Sequence, residues 1–209
     1  RTMIYVGVYI GWGISIYKRV IQKSVRNVLI FIAELIIFWF VVRTTKYFFT
    51  MDNQIARYLW YSYYIPMLFI PVAVLQAAFF LGKSEEYRLP KWLKGVYIPT
   101  AVLVLLVLSN DLHQLVFSFP VGSAWSDSHY TYGWGYYVVL VWEVVCALTA
   151  FVLMIYKCRH SQKKKYLPLF GIGAAVLYAV LFISGVAWVQ EIGGDITAVL
   201  CLSLIHISE

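Results

Sequence analysis

"VLVLLVLSNDLHQLVF", residues 102–117, is the stretch whose reading decides the rest. Seven consecutive apolar residues suit the inside of a lipid bilayer, and they run straight into Asn110, Asp111, His113 and Gln114. Polar side chains at such depth cost free energy unless a partner satisfies them. Either they hold helices together, or they receive something.

Composition places the chain in its class. Hydrophobic residues make up 62% and charged residues 13%, against about 45–50% and about 25% in soluble domains. This is the composition of an integral membrane protein, and the lipid bilayer is its first partner. The net charge of +7 does not call for nucleic acid, because the basic residues lie in short loops where they act as a topology signal.

Outward from residues 102–117, apolar runs fall at roughly 3–17, 28–49, 58–81, 96–117, 136–156 and 167–188, with a stub from residue 196. Several approach the roughly 20 residues that cross a hydrocarbon core. Open strands cannot satisfy their backbone in lipid, and the runs are continuous rather than alternating, which argues against a β-barrel. The expected fold is all-α: a polytopic transmembrane bundle of six helices plus a truncated seventh, one sensor-sized domain over residues 1–201. Lys18, Arg19, Lys23 and Arg26 mark the first loop, Lys83, Arg88, Lys91 and Lys94 the third, and Lys157, Arg159, Lys163, Lys164 and Lys165 the fifth, whereas residues 118–135 hold no Lys or Arg. The positive-inside rule puts the basic loops in the cytoplasm and the amino terminus outside.

Both ends look foreign. The first run has about 15 residues, roughly 22 Å of helix at 1.5 Å per residue, and the chain opens on Arg1 although Met3 could start it. Residues 202–209, "LSLIHISE", resemble the in-frame translation of a transposase sequencing adapter, so a non-native tail is expected there. Cys146, Cys158 and Cys201 form no pair at redox or metal spacing, and "KCRH" at 157–160 offers two ligands at most; no metal site and no cofactor are expected.

The intramembrane polar set is Glu34, Arg43, Asn110, Asp111, His113, Gln114 and Glu143, with Arg57 at the outer end of the third helix. At 100° per residue Asn110, His113, Gln114 and Phe117 share one helix face, with Asp111 at its margin. Glu34 and Arg43 point to opposite sides of their helix, so each needs a partner elsewhere. The plainest reading is interhelical glue, with Lys46, Arg57 and Arg43 reaching for headgroups. The sharper one is an outward-facing pocket for a small-molecule ligand, or a proton relay. Its candidate residues are Arg43, Arg57, Tyr61, Tyr64, Asn110, Asp111, His113, Gln114 and Glu143, and the loop at 118–135, carrying Trp125, His129 and Tyr130, would close it. "RYLWYSYYIP" at 57–66 is an interfacial aromatic belt on its simplest reading, yet Arg57, Tyr61 and Tyr64 fall on one helix face. Pro66, Pro71 and Pro99 each remove a helix hydrogen bond and permit a kink.

"GWGISIYKRVIQKSVR" at 11–26, "FWFVVRTTKYFF" at 38–49, "RYLWYSYYIPMLFIP" at 57–71 and "LSNDLHQLVFSF" at 108–119 together resemble the bacterial seven-transmembrane sensor region at the amino terminus of certain histidine kinases. The likeness runs over about residues 11–200. It implies a non-enzymatic signal-input module in the bacterial plasma membrane, followed by a cytoplasmic output domain such as a kinase, and a homodimer if that output is a sensor kinase. The alternative is a transporter or channel component, against which stands the lack of a visible inverted repeat. A rhodopsin-like photoreceptor would need a lysine beyond this chain, and helices two to five lack its carboxylate pattern. No nucleophile–base motif, H-E-x-x-H or phosphate loop supports an enzyme.

Overall fold

The computed structural model describes residues 23–49, 53–80, 83, 86–120 and 129–158, with single positions between 6 and 17. The segments expected at 167–188 and from 196, the tail at 202–209, Trp125 and most of the loop around it lie outside the described residues.

The second to fifth apolar runs become helices. α1 spans Lys23–Phe48, α2 Asn53–Tyr61, α3 Tyr64–Phe80, α4 Lys91–Gly95, α5 Tyr97–Leu108, α6 Asn110–His113 and α7 Trp134–Cys158. Two-residue strands β1, Phe117–Ser118, and β2, Thr131–Tyr132, pair antiparallel with Phe117 opposite Tyr132. Among the described residues, four stretches are long and apolar enough to cross a membrane: Lys23–Lys46, Gln54–Phe80, Lys91–Leu108 and Trp134–Lys157. They correspond to the second to fifth expected segments, and the chain is a multi-pass helical membrane protein.

Two of the helix interruptions have the same cause. A proline cannot donate to the carbonyl four residues back, and its ring crowds that carbonyl. Pro66 therefore leaves Ser62 without its helical donor, and Ile65 N–H takes the Ser62 carbonyl instead at 3.2 Å, across the turn separating α2 from α3. Pro99 does the same to Gly95, and the chain breaks at Val96 between α4 and α5. Pro71 sits inside α3 without ending it.

Two buried clusters stack along the bundle. At one end Val28, Ile32, Ile36 and Phe40 of α1 meet Ala73, Leu75 and Ala78 of α3, Leu93 of α4 and Ala150 of α7. At the other, Tyr61, Tyr64 and Leu68 meet Val104, Val107, Val116, Phe117 and Val139. Three polar ties cross from helix to helix. Tyr97 Oη donates to Gln76 Oε1 at 2.6 Å, Trp142 Nε1 donates to Thr100 Oγ1 at 3.0 Å, and Lys157 Nζ donates to the carbonyls of Ala78 and Phe79 at 2.9 and 2.6 Å. The outer faces stay apolar: Ile98, Val102 and Leu105 on α5 and Val141, Leu148 and Val152 on α7 are exposed. Lipid chains cover such faces without the penalty that water would impose.

One expected boundary is corrected. The run at 96–117 is not one helix: α6 ends at His113, Gln114 takes a left-handed conformation with φ 49°, and Phe117 enters β1. Gln114 and Phe117 therefore do not share a helical face with Asn110 and His113.

Candidate functional site: a polar junction at the end of the bundle

Residues 115–117 form the hub, because every backbone polar group in them is used. Leu115 N–H donates to His113 Nδ1 at 3.0 Å, and its carbonyl accepts from Gly135 N–H at 3.0 Å. Val116 N–H donates to Asn110 Oδ1 at 3.0 Å, and its carbonyl accepts from Gly133 N–H at 2.9 Å. Phe117 N–H donates to the same Oδ1 at 3.0 Å, while its carbonyl accepts from Asn110 Nδ2 at 2.8 Å. Val116 and Phe117 are buried away from water at this reversal, so the side chain of Asn110, with His113 at the part-buried Leu115, supplies what a helix would have.

Asn110, fully buried, also donates from Nδ2 to Tyr61 Oη at 3.1 Å. Both amide hydrogens and both oxygen lone pairs are then occupied, which is all an asparagine can offer. The Tyr61 hydroxyl passes its own proton on to Asp111 Oδ1 at 2.7 Å, and Asp111 Oδ2 meets Arg57 Nη2 at 2.9 Å. One connected line thus runs from the Phe117 backbone through Asn110, Tyr61 and Asp111 to Arg57. Arg57 and Asp111 keep 23% and 19% of their side-chain surface exposed, so this end of the line opens outward. The guanidinium lies 5.8 Å from the Phe119 ring, and its Nε is buried without a hydrogen bond.

Aromatic rings close the other side. The buried Phe117 ring has Trp60 at 4.6 Å, Tyr64 at 5.5 Å, Tyr130 at 5.5 Å and Tyr136 at 5.9 Å between centroids. Trp60, Tyr61 and Tyr64 are thereby taken into the junction, while Tyr58 stays 47% exposed as a belt residue would. Glycines permit the approach of α7: a Cβ at Gly133 would lie 2.1 Å from the Leu115 oxygen, and one at Gly135 3.0 Å from it.

Of the nine residues singled out from sequence, the structure brings Arg57, Tyr61, Asn110 and Asp111 into direct contact, with Tyr64 packed beside them on Phe117. The other four stand apart from that line. His113 serves its own turn through Leu115 and Ser109, and Gln114 is exposed. Arg43 lies 5.7 Å from the ring of Trp39 on its own helix, and the carboxylate partner at the junction is Arg57. Glu143 sits on α7 within electrostatic reach of Tyr64 and Tyr136. Glu34, expected to find a partner on another helix, is exposed. Sequence reading passed over Gly133, Gly135, Thr100 and Gln76, although "YGWG" at 132–135 between aromatic residues was a signal of close backbone approach.

The fold and this junction define a polytopic helical membrane protein with a hydrogen-bonded polar cluster at one end and basic residues at the other. The family model described as the N-terminal 7TM region of histidine kinase matches residues 2–206, and the chain belongs to that family. No curated protein and no solved structure matches it. The chain is accordingly a sensor input region of a histidine kinase.

Proposed function

We propose that this region receives its stimulus at the Arg57–Asp111 junction, on the outer side of a bacterial plasma membrane, and passes it to a cytoplasmic histidine kinase domain that follows in the chain. The carrying observation is that Asp111 joins two helices through different oxygens, to Tyr61 and to Arg57, while remaining partly exposed. A small polar molecule that competes for either oxygen changes how α2 and α6 are held together, and a helix pair is the simplest element by which an outer event reaches the inner loops. Arg57 and Asp111 are the groups we assign to first contact, with Tyr61, Tyr64 and Asn110 supporting them. Arg43, His113, Gln114 and Glu143 stay at the margin of that site.

The orientation rests on charge. Lys91 and Lys94 on α4, and Lys157 at the end of α7, lie at the end of the bundle opposite Asp111, and basic ends favour the cytoplasm. The region acts as a homodimer, as a kinase that phosphorylates its own partner would require, and it does no chemistry itself. The family match favours this reading over a transporter or channel component.

The test uses the full-length protein in native membrane vesicles. Asp111→Asn should change the basal phosphorylation of the output domain several-fold while insertion is retained. Unchanged phosphorylation in a stably inserted Asp111→Asn protein overturns the placement of the input site.

A further inference from the structure

We propose that His113 is a proton-operated latch on the reversal at residues 114–117, so that acidification on its side of the membrane loosens the hub that joins α6 to α7. The inference goes beyond the input-site reading and does not depend on it.

The hydrogen bonds assign the protonation state. Ser109 has one hydroxyl proton and donates it to the Leu105 carbonyl at 2.7 Å. Its oxygen is therefore the acceptor toward His113 Nε2 at 3.2 Å, and Nε2 carries the hydrogen. Nδ1 accepts from Leu115 N–H at 3.0 Å and must present a lone pair. Both conditions hold only for the neutral imidazole with its proton on Nε2. A second proton would go to Nδ1 and point at the Leu115 N–H, two donors face to face, so the contact opens.

Location gives that event leverage. Leu115 is the first residue of the hub, and its carbonyl holds Gly135 at the start of α7. Gln114, with φ 49°, is the strained link between latch and helix. Gln114 N–H still donates to the Asn110 carbonyl at 2.7 Å, so losing the Leu115 contact removes one tie of the reversal and loosens the α7 entry rather than dismantling the hub.

Among the described residues, no charge in contact with the ring offsets this. The two ring contacts of His113, Ser109 and Leu115, are neutral. On its own element, Asp111 is turned to Arg57 and Tyr61, and the α2 charge Arg57 is bound in that pair. From the β2 side come His129, Tyr130 and Tyr132, and Glu143 of α7 faces Tyr64 and Tyr136. The latched state binds one proton fewer than the open state, so added protons weaken the latch and their removal strengthens it.

A spin label reads the latch directly. Gln114→Cys carries a nitroxide at an exposed position, with Cys146, Cys158 and Cys201 replaced by alanine and the whole chain in liposomes. The parent should be ordered at pH 8 and gain a mobile component severalfold larger at pH 5. His113→Asn keeps an acceptor for the N–H two residues on, as asparagine does in turns, but cannot titrate. It should stay ordered at both pH values, whereas His129→Asn should respond as the parent does. An equal response in His113→Asn, or none in the parent, overturns the latch. Should His113→Asn fail to insert, the variant with His129, His160 and His206 all changed to asparagine leaves one imidazole for ring nitrogen NMR. A neutral ring protonated on Nε2 at pH 8, charged in step with the mobility, supports the proposal; a proton on Nδ1 at pH 8 ends it.

Discussion

Asn110 grips the peptide groups of Phe117 at both ends, accepting from its N–H at 3.0 Å and donating to its carbonyl at 2.8 Å. A side chain is standing in for a backbone partner at the point where the chain reverses into β1.

That relationship makes Asn110 the most sensitive position of the junction. Asn110→Ala strands the N–H groups of Val116 and Phe117 and the Phe117 carbonyl, each worth about 1–3 kcal/mol when buried without a partner. Asn110→Asp is nearly isosteric but turns a second acceptor toward the Phe117 carbonyl. Both variants should unfold at clearly lower temperature in detergent, with Asn110→Asp at least as damaged as the alanine variant. An Asn110→Asp protein as stable as the parent would contradict the bonding described.

Tyr61 and Asp111 are coupled through one proton, and a double-mutant cycle measures it. Tyr61→Phe alone removes the bridge between Asn110 and Asp111, at about 1.5–3 kcal/mol for a bond to a charged group. Asp111→Asn alone weakens the bonds to both Tyr61 and Arg57. The double variant should lose less than the sum, with a coupling of about 0.5–3 kcal/mol. Strict additivity in thermal or denaturant unfolding would mean the contact contributes nothing.

The two glycines near the start of α7 should rank by distance. Gly133→Ala places a methyl carbon 2.1 Å from the Leu115 oxygen, which backbone must move to relieve, while Gly135→Ala meets the same atom at 3.0 Å. Gly133→Ala should cost about 1–3 kcal/mol and Gly135→Ala distinctly less. A reversed order in measured unfolding would show that β2 does not seat against Leu115.

The bundle was legible because a membrane asks one thing of sequence, a long apolar run, and α1, α2 with α3, α4 with α5, and α7 each supply it. Where the polar residues would go was only half legible. Arg57, Tyr61 and Tyr64 fall on one face at helical spacing and do meet the junction, despite the turn that Pro66 imposes between α2 and α3. The reversal at Gln114 had no glycine to announce it, and a helical period drawn through it put Phe117 on the wrong element. His113 illustrates the same limit: spacing assigns a residue to a face, but its ring is claimed by a backbone N–H two residues away. Strands of two residues are too short to leave an alternating pattern.

Orientation gives the last prediction, and the junction sharpens it. A count of basic residues would place Arg57 against the rule, since it lies at the end assigned to the outside. Its charge, however, is met by Asp111 at 2.9 Å, so it exerts little pull toward the cytoplasm. Lys83, Arg88, Lys91 and Lys94 share one connection with Glu85 and Glu86, whereas residues 118–135 carry no Lys or Arg. Arg88 and Thr131 are both exposed and lie on these two connections. In a chain without its three native cysteines, Thr131→Cys should react on intact cells with a thiol reagent that cannot cross the membrane. Arg88→Cys should react only after the cells are permeabilised. Labelling at 88 on intact cells would turn the bundle over, carry Asp111 and His113 to the cytoplasmic side, and make any proton sensed by the latch an internal one.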